Sequence, residues 1–277
     1  MEKEGVIPIL VGGLGNQMFC LCAGYILSKI NNIPLYIHYK EKHKNHHNIY
    51  NNDYRETIFK EFGENIDLTE DQVKQKIPCY QLQTGSGFSK WTPPIIQNST
   101  PLFFIENYYQ YYPPLAKFEK EIRSLFLKGL EPFSKIARAK IKNPFESAFL
   151  HVRRGDYLKN PNLHYIQPLT YYKKATDILL EKNKQISKIF ILSDDIQWVK
   201  DQELFNDPLY TIIYIENELL ALAFMSECKS GAICANSTFS WWGAFLGAYE
   251  NRSPIFVPQK WIAEPIIDLF PSEWIIL

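Results

Sequence analysis

Short apolar runs alternate with longer amphipathic stretches throughout the second half of the chain. Runs of this kind, bounded by polar residues, are typical of buried strands, and apolar positions that recur at the helical period indicate helices between them. The predicted strands cover 148–152, 188–193, 210–215, 231–235 and 254–257, and the predicted helices cover 169–182, 195–204, 217–229, 239–249 and 260–268. Strands that alternate with helices predict a parallel, doubly wound sheet.

The first half of the chain follows the same pattern less regularly. Its predicted elements are a strand at 6–11, a helix at 17–30, a strand at 33–39, a strand running into a loop at 103–112, and helices at 115–127 and 132–141. The region from residue 40 to about residue 100 is polar, and its apolar positions follow neither the helical nor the strand period clearly. Because Asn143-Pro144 disfavours helical continuation, we predict a boundary between domains 1–143 and 144–277.

Three polar motifs begin where predicted strands end. GGLGNQMF occupies 12–19, HVRRGDY occupies 151–157, and ANSTFSWWGA occupies 235–244. Open α/β sheets bind their ligands at the carboxyl ends of the strands. The last motif could alone be an ordinary helix N-cap, since Asn, Ser and Thr are the preferred capping residues. Three such motifs in one chain favour a single ligand cleft.

Composition narrows the classes of function. Lys plus Arg and Asp plus Glu both number 30, so the formal net charge is zero, which gives no sign of a nucleic-acid surface. No apolar stretch reaches the roughly 18 residues of a membrane span, and the N-terminus lacks a signal-peptide pattern. We therefore expect a cytoplasmic protein. Its five cysteines lack metal-ligand spacing and are expected to be reduced, mostly buried thiols.

Four motifs together resemble one enzyme family in their order and spacing. They are GGLGNQMF, HVRRGDY, ILSDDIQW and ANSTFSWWGA, and the resemblance extends from Val11 to about Trp261. The chain is similar to the inverting α-1,2-fucosyltransferases of glycosyltransferase family 11. This resemblance implies a GT-B-like α/β fold in which two Rossmann-like units face each other across a cleft. Residues 1–143 would form the acceptor side, and residues 144–277 would bind the nucleotide sugar.

The resemblance also implies a reaction. It is the transfer of L-fucose from GDP-β-L-fucose to the 2-hydroxyl of a galactoside in a surface glycan, without a metal or other cofactor. The expected partners are the nucleotide-sugar donor and a galactose-containing glycan, with no nucleic acid. Two alternatives stay open. One is the same fold with a different nucleotide-deoxysugar donor, and the other is a non-catalytic glycan-binding protein on a transferase scaffold.

The departing nucleoside diphosphate gains negative charge as the glycosidic bond breaks, and fixed cations or a metal must neutralise that charge. The chain has no D-x-D motif, so the arginines of HVRRGDY are the candidates, because guanidinium binds phosphate oxygens in a fork. By resemblance, Arg153 contacts the β-phosphate. Arg154 is predicted to brace the cleft, since neighbouring residues at a strand end point to opposite sides. His151 could support the turn, and Asp156 could pair with Arg154.

Two other groups of residues invite a metal interpretation. Asp194 and Asp195 lie in the SDD segment, and we interpret them as structural residues that cap the next helix. His43, His46 and His47 have the spacing of a helix face, but the asparagines around them favour a solvated loop. No residue is assigned to a metal.

The last motif supplies candidate donor-binding residues. Ser237, Thr238 and Phe239 match positions at which related fucosyltransferases hold the diphosphate through hydroxyl and backbone N–H groups. Trp241 and Trp242 are predicted to be packing residues behind that site.

The first motif supplies further candidates. Gly13 and Gly15 are predicted to let the chain pass close to the donor, and they are not a dinucleotide fingerprint, because the third glycine position is Met18. Asn16 and Gln17 are predicted to project amide groups into the cleft. The asparagine that matches Asn16 lies beside the reaction centre in related O-fucosyltransferases.

The catalytic base and the donor are the least determined features. His151 and Asp156 are candidate bases, and a dissociative path with little base assistance is the alternative. Ala221 stands where the family usually has an acid, and in related fucosyltransferases that region contacts guanine through a carboxylate. Glu218, one helical turn earlier, or Glu216 could replace that acid. Otherwise the donor differs from GDP-fucose.

Overall fold

The computed structural model describes residues 4–39, 52–69, 90–96, 103–105, 107–262 and 268–277. These residues belong to two compact units. The first unit comprises Met1–Gly129 and Ile266–Pro271, and the second unit comprises Leu130–Pro265 and Ser272–Leu277. The histidines at 43, 46 and 47, predicted to lie in a loop, fall outside the described residues.

The first unit contains two pairs of short parallel strands. β1 (Val6–Pro8) pairs with β4 (Phe103–Ile105), and β2 (Tyr36–His38) pairs with β3 (Glu64–Ile66). Strands β1 and β2 are shorter than the apolar runs that predicted them. The first unit is therefore α/β, as the sequence predicted, with less sheet than its apolar residues suggested.

Helix α1 (Leu14–Asn31) is buried from Leu14 to Leu27 at all but one position. Gly13 is its N-cap, and the Gly13 carbonyl accepts hydrogen bonds from the backbone N–H groups of Asn16 and Gln17 at 2.9 and 3.1 Å. The helix begins three residues before the predicted start at 17. Most of the first motif is consequently the first turn of a helix, with the glycines directly at its beginning.

One continuous helix replaces the two predicted at 115–127 and 132–141. A short helix α2 (Tyr112–Ala116) precedes α3 (Glu119–Lys140), which runs through Pro132. The prediction of a break at this proline is wrong because the buried stripe continues past it at helical spacing. Its members are Ile122, Phe126, Leu130, Ser134, Ala137 and Ile141. Burial on both sides of Pro132 outweighs the one backbone hydrogen bond that proline cannot donate.

Helix α3 supplies residues to both units. The division between the units falls within it, between Gly129 and Leu130. The sequence placed the boundary at Asn143-Pro144, where the helix has already ended at Lys140 and a 3-10 turn (Pro144–Glu146) begins. The break in local structure and the division between compact units therefore occur at different places along the chain.

The second unit contains a sheet of six parallel strands. Its strands are β5 (Ser147–Val152), β6 (Lys188–Ser193), β7 (Tyr210–Ile213), β8 (Gly231–Ile233), β9 (Ile255–Val257) and β10 (Ile275–Ile276). The spatial order is β10-β9-β8-β5-β6-β7. The predicted parallel sheet is confirmed, and β10 is an addition that its very short apolar run did not reveal.

Helices connect these strands as the sequence predicted. They are α4 (Leu169–Lys182), α5 (Ile196–Lys200), α6 (Glu218–Glu227) and α7 (Thr238–Leu246), with 3-10 turns at Glu203–Asn206 and Ala248–Asn251. The bounds of α4 match the prediction at both ends. The last predicted helix, 260–268, falls largely outside the described residues, and Ile262 forms an isolated antiparallel bridge with His164.

The order of strands places a topological switch point beside β5. From β5 the chain adds β6 and β7 on one side, then crosses to add β8, β9 and β10 on the other. All six residues of β5 are buried, as expected for a central strand covered on both faces. In open α/β sheets ligands bind where the strand order reverses, outside the carboxyl ends of the strands. The ends of β5 and β8 are therefore the expected ligand site of this unit.

Two further expectations concern thiols and membranes. The four cysteines among the described residues, Cys20, Cys22, Cys228 and Cys234, are free and buried, which confirms the prediction for them. Among the described residues, no helix combines the length and the apolar character needed to cross a membrane.

Candidate functional site

Two of the sequence motifs meet at the switch point of the second unit. HVRRGDY starts at the last two residues of β5 and continues into the loop after it, while ANSTFSWWGA leaves β8 and enters α7. Strands β5 and β8 are neighbours, with Leu150 opposite Ile233. The parallel pairing of β5 with β8 explains why the two motifs, some 80 positions apart in the sequence, lie side by side.

Arg153 is held between two carboxylates. Its Nη2 lies 2.6 Å from Oδ1 of Asp156, and its Nη1 lies 3.2 Å from Oδ2 of Asp194. The guanidinium also lies over the Tyr157 ring, 5.6 Å from the centroid, and its side chain is 30% exposed. The suggestion that Asp156 pairs with Arg154 is wrong, because Asp156 lies at the start of the 3-10 turn Tyr157–Lys159 and faces Arg153.

Arg154 takes a different partner. Its Nε donates to Oδ2 of Asp195 at 3.1 Å, and its guanidinium lies 4.3 Å from the centroid of the Trp198 ring. Asp195 is the N-cap of α5, and its Oδ1 accepts a hydrogen bond from the Trp198 backbone N–H at 3.1 Å. The predicted cap is thus present. Arg154 ties the loop after β5 to the helix after β6, which is the arrangement expected of a bracing residue.

The Asp194 carboxylate binds the backbone of the HVRRGDY loop. Its carboxylate accepts hydrogen bonds from the backbone N–H groups of Arg154 at 2.8 Å and Gly155 at 3.0 Å, besides its ion pair with Arg153. A Cβ at Gly155 would lie 2.9 Å from Oδ2 of Asp194, closer than real Cβ atoms approach. Asp194 is structural, as predicted, but it binds this loop and does not cap α5, whose N-cap is Asp195. The sequence pattern did not single out Gly155, where a Cβ would force the Asp194 carboxylate to shift.

His151 is a buried, neutral imidazole. It is 5% exposed, and its ring centroid lies 6.1 Å from that of Phe239 on α7. Burial lowers the pKa of His151 to about 4, a fall that the nearby Asp194 opposes and Arg153 reinforces. Within the described part of the chain its Nδ1 has no hydrogen-bond partner. The imidazole is therefore uncharged at neutral pH, and its position at the end of β5 is fixed by packing.

The start of α7 presents its N-terminus at the same edge of the sheet. Ser237 is the N-cap, but its hydroxyl makes no capping hydrogen bond, while its carbonyl accepts from the Trp241 N–H at 3.0 Å. Ser237, Thr238 and Phe239 are each partly exposed. Free N–H groups at a helix N-terminus attract anions. The Ser237 hydroxyl makes no capping hydrogen bond. Helix capping therefore does not explain why this motif has a hydroxyl side chain at position 237.

The tryptophans of the last motif are packing residues, as predicted. Trp241 and Trp242 are fully buried and contact each other edge to face, with ring centroids 4.9 Å apart. Trp241 stacks on Phe245 at 4.9 Å. This aromatic cluster supports α7 from the side away from solvent.

The first motif lies in the other unit, and there the prediction for Gln17 is wrong. Gln17 is 3% exposed, and its Nε2 donates to the Gly12 carbonyl at 2.9 Å, so it stabilises the turn before α1. Asn16 is partly exposed, and its Oδ1 accepts a hydrogen bond from Nε2 of Gln110 at 3.0 Å. Gln110, which the sequence did not single out, therefore orients the predicted site asparagine.

The glycines of this motif have separate roles. Gly12 has a φ of +77°, which favours glycine, and a Cβ there would clash with Asn16. Gly13 is exposed and extended, with open space where a Cβ would be. Gly15 is buried in the first turn of α1. The turn thus depends on Gly12, and the open surface at Gly13 is compatible with the close approach predicted there.

The residues proposed to replace the missing guanine acid lie beyond the edge strand β7. Ala221 is buried in α6, and Glu218 is the first residue of that helix and partly exposed. Asn217 caps the helix by accepting from the Leu220 N–H at 2.9 Å. Glu216 is exposed and accepts a hydrogen bond from the Tyr214 hydroxyl at 2.7 Å. Both glutamates stay candidates for that acid.

Candidate metal ligands do not cluster in the described part of the chain, where no three His, Cys, Asp or Glu side chains could hold one ion. The oxygens of Asp194 and Asp195 instead bind backbone N–H groups and the two arginines.

The chain has a GT-B-like α/β fold, with its candidate site at the switch point of the parallel sheet of the second unit. Comparison with known proteins identifies the family. Residues 97–276, more than half of the chain, match glycosyl transferase family 11. The chain belongs to this family, which confirms the resemblance seen in its motifs.

Two curated relatives come from Escherichia coli. The O-antigen biosynthesis glycosyltransferase WbnK is 37% identical over 121 residues, which are 41% of this chain and 38% of WbnK. An alpha-1,2-colitosyltransferase is 32% identical over 139 residues, 47% of each chain. The matched region spans less than half the length of either relative.

A solved structure confirms the fold. POFUT1 in complex with GDP-fucose superposes with a TM-score of 0.54 at 12% identity, covering 91% of this chain and 97% of POFUT1. At this identity the likeness concerns the fold.

Proposed function

We propose that this protein is an inverting, metal-independent glycosyltransferase that moves L-fucose from GDP-β-L-fucose to the 2-hydroxyl of a galactoside in a surface glycan. The observation that supports it most directly is that Arg153 and the N-terminus of α7 follow two neighbouring strands, β5 and β8, at the same edge of the sheet. Membership in glycosyl transferase family 11 supports the reaction class. The name of the relative WbnK, an O-antigen biosynthesis glycosyltransferase, supports a surface glycan as acceptor.

In the proposed mechanism the protein acts mainly on the leaving group. As the bond to the sugar breaks, negative charge grows on the β-phosphate, and a preorganised guanidinium and helix N–H groups stabilise that charge. Arg153 is preorganised because Asp156 and Asp194 hold both of its terminal nitrogens. The Ser237 hydroxyl and the N–H groups of the first turn of α7 would hold the diphosphate beside it.

Neither candidate is well placed to act as a base in the free protein. His151 is uncharged at neutral pH, but a pKa of about 4 makes it a weak proton acceptor. Asp156 is paired with Arg153. We therefore propose a largely dissociative displacement, in which departure of the diphosphate runs ahead of proton removal from the acceptor hydroxyl.

A second nucleotide sugar should be tested as the donor alongside GDP-fucose. The relative named alpha-1,2-colitosyltransferase favours a nucleotide-linked deoxysugar other than GDP-fucose, such as GDP-colitose. The alanine at position 221 does not discriminate between these two donors, because both carry guanine. Release of GDP from each donor, with and without galactosides, is the deciding measurement. Turnover with GDP-fucose supports the main proposal, and turnover with GDP-colitose alone supports the second. Glycan binding without turnover of any donor would indicate a non-catalytic glycan-binding protein.

A further inference from the structure

Asn236 links three segments of the second unit. It precedes Ser237 directly and is 2% exposed. Its Nδ2 donates to the carbonyl of Tyr165 at 2.8 Å and to the carbonyl of Trp261 at 2.7 Å. Two carbonyl acceptors fix the orientation of the amide, because a side-chain oxygen in that place would be repelled by both.

The main chain of Asn236 makes the third link. The Tyr157 hydroxyl donates to the Asn236 carbonyl at 2.7 Å, and the bond is buried. Burial raises the pKa of Tyr157 above its ordinary value, so the hydroxyl keeps the proton that it donates. Asn236 thus contacts the HVRRGDY motif directly, although the two motifs are far apart in sequence.

Tyr157 transmits this link to Arg153. The guanidinium of Arg153 lies over the Tyr157 ring at 5.6 Å, and the His164 ring stacks on Tyr157 at 4.1 Å with an interplanar angle of 6°. His164 precedes Tyr165, whose carbonyl Asn236 binds. The side chain and the main chain of Asn236 therefore hold Tyr157 from two sides, through its hydroxyl and through its stacking partner.

We propose that Asn236 is a positioning residue for Arg153, acting through Tyr157. The inference rests on the proposed function, in which Arg153 stabilises the leaving diphosphate. Displacing a group by about 1 Å from its productive position can reduce the rate by roughly 100-fold. Asn236 itself binds no substrate in this proposal. Its Nδ2 donates to the two carbonyls, and the residue is 2% exposed.

The first test compares turnover among matched variants. Asn236→Ala removes the amide, Asn236→Asp keeps the size but places an oxygen against two carbonyls, and Tyr157→Phe removes only the hydroxyl. We expect kcat to fall roughly 10- to 100-fold in each, with a smaller change in the KM for the donor. The control is Asn183→Ala, since Nδ2 of Asn183 also donates to a carbonyl, that of Ser230 at 3.2 Å, at the opposite edge of the sheet. The control should keep its kcat. Equal losses in all variants would overturn the proposal.

A double variant separates positioning from general support of the fold. If Asn236 acts through Arg153, then Asn236→Ala in an Arg153→Ala background should lower kcat by less than twofold further. Losses that multiply in the double variant would mean that Asn236 acts independently of Arg153, which contradicts the proposal. Tyr157→Phe in the same background gives the same answer if Asn236→Ala does not fold.

Hydrogen exchange tests the link without a donor. In the ligand-free protein, Asn236→Ala and Tyr157→Phe should speed amide exchange in 153–167 at least several-fold and leave β6 unchanged. Unchanged exchange in 153–167 would overturn the positioning role. This outcome is distinguishable from failure of the proposed function, which would appear as no GDP binding and no transfer by the wild-type protein.

Discussion

Nη2 of Arg153 lies 2.6 Å from Oδ1 of Asp156, so the cation expected to meet the diphosphate is already ion-paired in the free protein. The pair defines where the guanidinium lies before a donor arrives. It also assigns Asp156 a role other than proton transfer, and the roles of both residues can be measured.

Arg153→Ala should lower kcat by about 10²–10³-fold, the usual effect of removing one preorganised oxyanion stabiliser. Arg153→Lys keeps the charge but loses the planar fork that contacts both carboxylates, so it should restore little. Arg154→Ala is the matched control, and it should lower the melting temperature more than turnover. The measurements are steady-state kcat and the melting temperature of the three variants. A folded Arg153→Ala enzyme with near wild-type kcat would exclude Arg153 from the mechanism.

Asp156→Asn should lower kcat by roughly tenfold or more because Arg153 loses one of its two anchors. The shape of the pH–rate profile should stay the same, since the proposed role of Asp156 is to hold Arg153. The measurement is kcat against pH for wild type and variant. Disappearance of the acidic limb in the variant would instead identify Asp156 as the catalytic base.

The buried His151 should make the protein less stable in mild acid. Its folded pKa of about 4 lies below the ordinary value of 6.5, so the unfolded chain binds the proton more tightly and stability falls as the pH decreases through this window. The loss from this residue should reach on the order of 3 kcal/mol near pH 4. Denaturant unfolding of His151→Gln between pH 7 and pH 4 should show a shallower decline than wild type. An identical slope in wild type and His151→Gln would show that His151 is not the group responsible.

Activity should persist in excess EDTA, because Arg153 and the N-terminus of α7 are proposed to neutralise the diphosphate. Donor turnover is measured before and after chelation, with Mn²⁺ or Mg²⁺ added back afterwards. Loss on chelation and recovery on adding back a metal would show that the proposal of metal independence is wrong and would return attention to Asp194 and Asp195.

Glu218→Gln should raise the KM for GDP-fucose several-fold and leave the melting temperature unchanged, if this residue replaces the guanine-binding acid absent at Ala221. Glu216→Gln is the control, since Glu216 is engaged by the Tyr214 hydroxyl. Calorimetry with GDP accompanies the kinetics. A wild-type protein that binds no GDP would remove the GDP assignment altogether.

The second unit was largely predictable because its strands and helices alternate with clear periodicity. Apolar runs gave β5 and β6 to within a residue, and the polar motifs predicted after β5 and β8 do lie at the ends of those strands. Local sequence is sufficient for such features. The helix through Pro132 was missed because its stability comes from side chains buried over six turns, which a local rule about proline does not weigh.

Pairing within the site was not predictable in the same way. The motif allowed Asp156 to pair with Arg154, but the 3-10 turn after β5 directs it to Arg153. Nε2 of Gln17 donates a hydrogen bond to the Gly12 carbonyl, which lies in the turn before α1. Backbone carbonyls that are shielded from water need such a donor. The contacts of Asn236 depend on Tyr165 and Trp261, which only the fold brings near it. Each of these contacts is set by tertiary geometry that a motif does not encode.

Gly155 restricts how this loop can be varied by directed evolution. A Cβ there would lie 2.9 Å from Oδ2 of Asp194, so the carboxylate that accepts two backbone hydrogen bonds and pairs with Arg153 would have to shift. A library intended to change donor choice should therefore keep this codon fixed. Diversity is better placed at Gly13, where an added Cβ would meet open space.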